Sequence, residues 1–244
     1  MTLQHEEINR VSMQFVRWSK LKAHVFANYL QDAFGSYKFC KKRSCGVFVN
    51  KIEVTQPFTA SATLEKKKHN LKLAADRIRK YVIRPGEVFS FWRAVGNPNT
   101  KQFAASRGIR GGVLQLERGG GLCQASGIIY HLALIAGLQI IERYNHSKDL
   151  YTEETRFCPL GSDATVAYGY RDLRIKNNTD TLIYFSLEVC DNHFTGYLFS
   201  KEPIPKHEIH FEYQVKNDNL LEAVTIDKTS GEILTTSIYE RLEQ

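Results

Sequence analysis

Long apolar runs are what this sequence most clearly lacks. No stretch approaches the roughly 20 apolar residues a membrane-spanning helix requires, and the first 30 residues are charged where an export signal would carry an apolar core. The chain therefore reads as soluble, unexported and cytoplasmic. Cysteine is sparse as well: five residues at irregular spacing do not make a secreted disulfide framework and fit a reducing compartment. Cys40 and Cys45 lack the spacing of a zinc pair and no second pair of ligands follows, so no metal is expected. The glycine run "GGGLCQ" has neither the Lys nor the Ser/Thr of a phosphate loop, and no dinucleotide fingerprint occurs, so no cofactor is indicated. The formal net charge is +7, yet Lys and Arg are spread along the chain, which gives nucleic acid no support as a partner. Internal repeats are absent too.

What remains is an ordinary globular composition of 244 residues, 43% hydrophobic, enough for one sizeable core. Residues 6–34 set Ile8, Val11, Phe15, Trp18, Val25 and Tyr29 at three- and four-residue steps between Lys and Arg. That spacing predicts one or two amphipathic helices, packed on the body or, being basic, resting on a membrane surface. A short strand is expected at "GVFVNKIEV". A second helix is predicted over "TLEKKKHNLKLAADRIRKYV", with Leu71, Ala74, Ala75, Ile78 and Val82 on its inner face and "EKKKHN" as a solvated start. After the Pro85-Gly86 turn, "EVFSFW" reads as a strand, and "GVLQL" as another.

The stretch from Leu122 is apolar almost all round and is closed by Gly137 as a left-handed cap. From Leu138 onward the pattern turns to β: "LQIIERYNHS", "DATVAYGYRDLRIKN", "TLIYFSLEVC" and "HFTGYLFS" are short strand-like runs, and two or three more follow. His207 and His210 sit on one of these as part of a solvated strand. Helices early and strands late give an α+β fold, a cysteine-bearing central helix packed on a mainly antiparallel sheet. The organisation expected is an N-terminal helical segment and connection at 1–60, a core domain at 61–203 and a C-terminal β extension at 204–244.

Cys123 stands at the start of that central helix, straight after Gly119, Gly120, Gly121 and Leu122. The unpaired N–H groups and dipole of a helix N-terminus stabilise a thiolate, and glycines let the backbone approach a substrate closely. Cys123 is therefore the candidate nucleophile, with neighbouring N–H groups and the Gln124 amide as oxyanion donors. His146 in "ERYNHS" is far enough along to return beside it as the base. Asp163 in "GSDATV", or Asp172 in "GYRDL", is the candidate to orient the imidazole. Glu142 and Arg143 interrupt an apolar strand, one expected in solvent and the other in an ion pair. Trp92 is either a core anchor or a wall of the pocket.

"NLKLAADRIRKYVIRPGEVFSFWRAVG", "GGGLCQASGIIYHLAL", "ERYNHS" and "GSDATVAYGYRDLRIKNNT" resemble the VanW family over about residues 65–200. On that resemblance the family's glycine-cysteine motif falls on Gly119, Gly120, Gly121, Cys123 and Gln124, and its histidine motif on Glu142, Arg143, His146 and Ser147; the three glycines, Gln124, Arg143, Ser147 and Trp92 are the residues expected to bind substrate. Gly127 and His131 depart from the strong helix formers expected inside the helix. The resemblance implies a link to cell-wall peptide or glycopeptide resistance. By analogy, the order Cys, His, Asp echoes transglutaminase-like and related cysteine peptidases. The leading expectation is a thiol-dependent hydrolase or acyl transferase acting on an amide bond. The alternative is an accessory module that binds cell-wall peptide or a protein partner through the same cleft. The oligomeric state is not legible.

Overall fold

The computed structural model describes residues 2–43, 46–110, 113–149, 156 and 158–241. Cys45 lies outside them. The chain opens with one continuous helix, α1 (Thr2–Phe34), followed by β1 (Lys41–Lys42), β2 (Asn50–Pro57), α2 (Leu64–Ile78), β3 (Tyr81–Val82), β4 (Val88–Ser90) and the short α3 (Phe91–Val95). A hairpin of β5 (Ala105–Arg110) and β6 (Val113–Arg118) precedes the central helix α4 (Leu122–Ile135). Then come β7 (Gln139–Glu142), β8 (Lys148–Asp149), β9 (Arg174–Lys176), β10 (Ile183–Val189), β11 (His193–Ser200), β12 (Ile209–Asn217), β13 (Leu220–Asp227) and β14 (Glu232–Arg241). The fold is α+β, with four helices and mainly antiparallel sheets.

The core is a three-layer packing problem solved around α4. Its residues from Leu122 to Leu134 are nearly all buried, as a helix apolar on every side must be. One side rests on the antiparallel sheet β10-β11-β2, which α2 also covers; the other meets the segment that carries residues 162–164. Strand β2 thus joins β10 and β11 from far upstream in the chain. Phe89, Phe91, Phe103, Phe185 and Phe194 fill the space between the layers and have no solvent exposure beyond 1%. A second small sheet, β4-β9-β7, closes the base. The last sheet, β12-β13-β14, is attached to the core through β8, whose pairing with β14 is parallel.

Three expectations need correction. The second helix ends at Ile78, four residues short of Val82, because Tyr81 and Val82 pair with Lys42 and Lys41 as a strand. Most of "DATVAYGYRDLRIKN" is not a strand: only Arg174–Lys176 is. The rest is a loop turned at Gly169, φ +83°, and tied by side chains that take its backbone N–H groups, Glu142 accepting from Asp172 among them. Nor does "EKKKHN" form a solvated face throughout, since Asn70 is wholly buried and Lys67 half-buried.

Helix α1 docks through its last turns. Asp32, whose side chain is only 7% exposed, accepts from Arg93 Nη2 at 2.8 Å and Arg174 Nη1 at 2.7 Å, and the Asn28 amide donates to the Gly169 carbonyl at 3.1 Å. Val16, Phe26, Leu30 and Phe34 remain exposed on the side away from Asp32. No helix among the described residues is long and apolar enough to cross a membrane.

Candidate active site

The glycine run is shaped by what surrounds it. Asn70, buried on α2, donates to the carbonyls of Ala104 and Gly120, both at 3.0 Å, and accepts from the Ala104 N–H at 2.8 Å. Ser106 Oγ donates to the same Gly120 carbonyl at 2.9 Å. A Cβ on Gly120 would lie 2.4 Å from Ser106 Oγ, 2.6 Å from the Ser106 carbonyl and 2.7 Å from that of Arg107, so only glycine fits there. Gly121 takes φ +97° as the residue before the helix, a left-handed conformation that side chains resist. Gly120→Ala is expected to destabilise the fold by about 2 kcal/mol, the usual cost of overpacking against atoms that cannot retreat, and to slow alkylation of Cys123. Chemical denaturation together with peptide mass spectrometry measures both.

This loop delivers Cys123 to the first turn of α4. The N–H groups of Leu122 and Gln124 are taken by the carbonyls of Gly119 at 3.2 Å and Gly121 at 2.9 Å, whereas the Cys123 N–H has no acceptor among the described residues. The thiol lies 3.6 Å from Thr165 Oγ1 and 3.7 Å from the Val166 carbonyl. His146, on the segment between β7 and β8, lines the same cleft as the thiol. The Nδ1 of His146 is 2.6 Å from Asp163 Oδ2, and the same oxygen accepts the His146 backbone N–H at 2.8 Å.

Asp163 is held from the far side by two groups. Arg143 Nη2 donates to Oδ1 at 3.0 Å, and Tyr239 of β14 donates to that oxygen at 2.5 Å while accepting the Gly161 N–H at 2.9 Å. Arg143 also donates to the carbonyl of Asp163 at 2.8 Å and to Ser237 Oγ at 2.6 Å, and stacks over Tyr130. Burial alone would raise the Asp163 carboxyl, but the bond and charge of His146, with Arg143 and Tyr239 behind them, hold it down at about 2. Burial would likewise lower His146. The bonds to Asp163 and Cys123 outweigh it and push the imidazole up to about 10. For Cys123, burial opposes ionisation, and the bond and charge of His146 overcome it, so the thiol is held below its ordinary range. Both shifts run in the same direction, the thiol toward its anion and the imidazole toward its cation.

The other residues singled out in the sequence fall in three places. Gly119, Gly121, Gln124 and Trp92 line, with Cys123, His146 and Asp163, a cleft of about 1020 Å³. Trp92 forms part of its wall, its Nε1 donating to the Arg171 carbonyl at 2.8 Å and its ring set edge-on to Tyr168. The Gln124 amide is turned to Gln56, with Nε2 to Oε1 at 3.1 Å. Arg143 stands behind Asp163, with a side chain only 7% exposed. Glu142 is ion-paired as well, to Arg174 at 3.0 Å, so neither member of that pair is given up to solvent. Ser147 contributes its carbonyl to the Glu240 N–H at 2.8 Å.

Asp172 lies away from His146. It accepts from Ser90 Oγ at 2.5 Å and from the N–H groups of Trp92 and Leu173, at 3.1 and 2.9 Å, and so fixes the start of α3. His207, expected on a solvated strand, instead bonds Asp227 at 2.7 Å and packs on Gly137, the left-handed residue past α4, φ +61°. His131 is turned to Phe211, ring centres 5.7 Å apart, and burial lowers it to about 4. Among the described residues no group of three His, Cys, Asp or Glu is placed to hold a metal ion. Asn70, Ser106, Gln56 and Tyr239 carry no sequence signal of a role in the site. Only the fold brings them there.

A cysteine on a helix N-terminus, an imidazole and a buried carboxylate bonded to that imidazole thus line one cleft. The chain itself belongs to the VanW-like protein family, whose model matches residues 66–199. It is 30% identical over 181 residues to the vancomycin B-type resistance protein VanW of Enterococcus faecalis, an alignment covering 72% of this chain and 66% of that protein. It is 38% identical over 110 residues to an uncharacterized protein, YoaR, of Bacillus subtilis, covering 45% of this chain and 35% of the relative. The chain thus spans just under two-thirds of the first relative's length and about a third of the second's. No solved structure matches it.

Proposed function

We propose that this protein is a cysteine-dependent acyl transferase or hydrolase acting on an amide bond. One observation carries the reading: Cys123 at the helix start and His146 line the same cleft, and the His146 Nδ1 is 2.6 Å from Asp163. The thiolate attacks the amide carbon, forming a C–S bond, and the carbonyl oxygen takes the negative charge beside the Cys123 N–H. His146, already an imidazolium, gives its proton to the leaving nitrogen as the C–N bond breaks, which leaves a thioester. Water or a second amine then attacks the thioester and passes its proton to His146. The thiolate is expelled and the resting pair restored. The order of the three residues supports a parallel with transglutaminase-like cysteine enzymes, and kinship to a vancomycin resistance protein supports a setting of glycopeptide resistance, for which cell-wall peptide is the substrate class proposed here.

Incubation with soluble peptidoglycan fragments, followed by intact mass spectrometry, tests this reading. A mass increase equal to the acyl part of a fragment is expected in the parent chain and not in Cys123→Ala. A chain that binds the fragments equally well in both forms and never acquires the adduct is a binding module instead.

A further inference from the structure

The backbone that touches the thiol leads directly into a row of aromatic rings. Thr165 Oγ1 and the Val166 carbonyl lie 3.6 and 3.7 Å from the Cys123 sulfur, and Tyr168 follows with its ring edge-on to Trp92, centres 5.4 Å apart. Gly169 is pressed against helix α1: a Cβ there would lie 2.6 Å from Leu21 Cδ1 and 3.1 Å from Val25 Cγ2, and its carbonyl accepts from Asn28. Tyr170 then reaches His24 of α1, ring centres 4.5 Å apart. Trp18 stands within one turn of Leu21 on the same helix, with the Lys22 ammonium over its ring at 5.6 Å. Trp18, Trp92, Tyr168 and Tyr170 all line the cleft that holds Cys123.

The rings are steadied by these contacts and are not covered by them. Trp18 is 57% exposed and Tyr170 50%, although tryptophan and tyrosine are on average well buried. Helix α1 is docked by Leu21, Val25, Asn28 and Asp32, so its attachment does not account for two half-open rings. Exposed aromatic area gathered in a concave wall marks a binding surface.

The surroundings select the ligand. Lys20 lines the cleft close to Trp18, and Lys22 already sits over that ring, which disfavours a cationic ligand. Asn99 and Gln115, both exposed, line the same cleft and offer amide donors and acceptors that a purely apolar ligand would leave unused. A sugar ring meets both requirements. Its C–H groups form an apolar face that lies flat on an aromatic ring, while its hydroxyl or acetamido groups point outward to amides and ammonium groups.

We infer that Trp18, Trp92, Tyr168 and Tyr170 form a saccharide subsite that begins beside Cys123. Resting on the acyl-transfer reading, this makes the substrate an amide carried on a sugar, the sugar seated on the aromatic row while the amide reaches the thiol.

The chain contains two tryptophans and both belong to the row, so tryptophan emission reports on this subsite. The probe is the trisaccharide of N-acetylglucosamine, titrated into the full chain. A saturable shift of the emission to shorter wavelength is expected as the sugar excludes water from the rings. The shift should persist in Trp18→Phe and in Trp92→Phe, each of which keeps one reporter. Tyr170→Ala is expected to raise the Kd about tenfold, the effect of losing one stacked face. Tyr170→Phe, which keeps that face, should leave the Kd nearly unchanged, and so should Cys123→Ala. No emission change with the trisaccharide, or an equal response to N-acetylphenylalanine amide, overturns the subsite and leaves the thiol chemistry untouched. Sugar binding by a chain whose Cys123 acquires no acyl adduct from peptidoglycan fragments overturns the acyl-transfer reading and leaves the saccharide site standing.

Discussion

Alkylation of Cys123 is expected to titrate with a midpoint below that of an ordinary thiol, roughly 8.5, and in His146→Ala the midpoint is expected to rise above it. Both directions follow from the same balance. Burial disfavours the thiolate, and only the bond and charge supplied by His146 reverse that preference. Without the imidazole, burial acts alone, so the thiol behaves as an interior cysteine and its alkylation at pH 7 slows by about tenfold or more. Replacing Thr165, whose hydroxyl is 3.6 Å from the sulfur, should move the midpoint much less, since a neutral partner contributes the weakest of these interactions. Rates measured between pH 5 and 10 on the parent and the two variants give the comparison. Identical midpoints in parent and His146→Ala would remove the ion pair from the account.

The second large effect is expected at Asp163→Asn. The substitution preserves shape but removes the charge that faces Arg143 at 3.0 Å and His146 at 2.6 Å, and both partners are mostly buried. An uncompensated guanidinium behind the site should cost about 3 kcal/mol. The pH dependence provides the finer signature. In the folded chain the Asp163 carboxyl is depressed to about 2, below its unfolded value. A depressed carboxyl contributes stability that is complete above its unfolded pKa and is lost as pH falls through the folded one. Its share is about 2 kcal/mol. The loss therefore falls between about pH 4 and pH 2. Urea melts across that window should show a slope in the parent that is reduced in Asp163→Asn. An equal slope in both would assign the acid sensitivity to other carboxylates.

The sequence made α4 and its cysteine legible because two strong signals coincide there: glycines directly upstream and an apolar run too long for a strand. The choice between Asp163 and Asp172 was not legible. Both are aspartates in glycine- and tyrosine-rich turns, and only the packing of the 162–164 segment against α4 brings one carboxylate to the imidazole. Arg143 looked like a surface or substrate residue because a charge in a strand usually is. It became a buried prop because Asp163, Ser237 and the Gly161 carbonyl converge on its five donors. The run "EKKKHN" concealed the most. Period and charge alone make it a wet helix face, but the hairpin β5-β6 folds over that face, burying Asn70 and turning Lys67 into the cleft.

The attachment of β14 has a consequence in time. The hydroxyl that completes the cradle of Asp163 belongs to Tyr239, and the strand bearing it is held to the core by the Glu240 N–H on the Ser147 carbonyl, one residue from His146. A ribosome releases Cys123, His146 and Asp163 well before it releases Tyr239. The hydroxyl behind the Asp163 carboxylate is therefore the last of the cradle's groups to leave the ribosome.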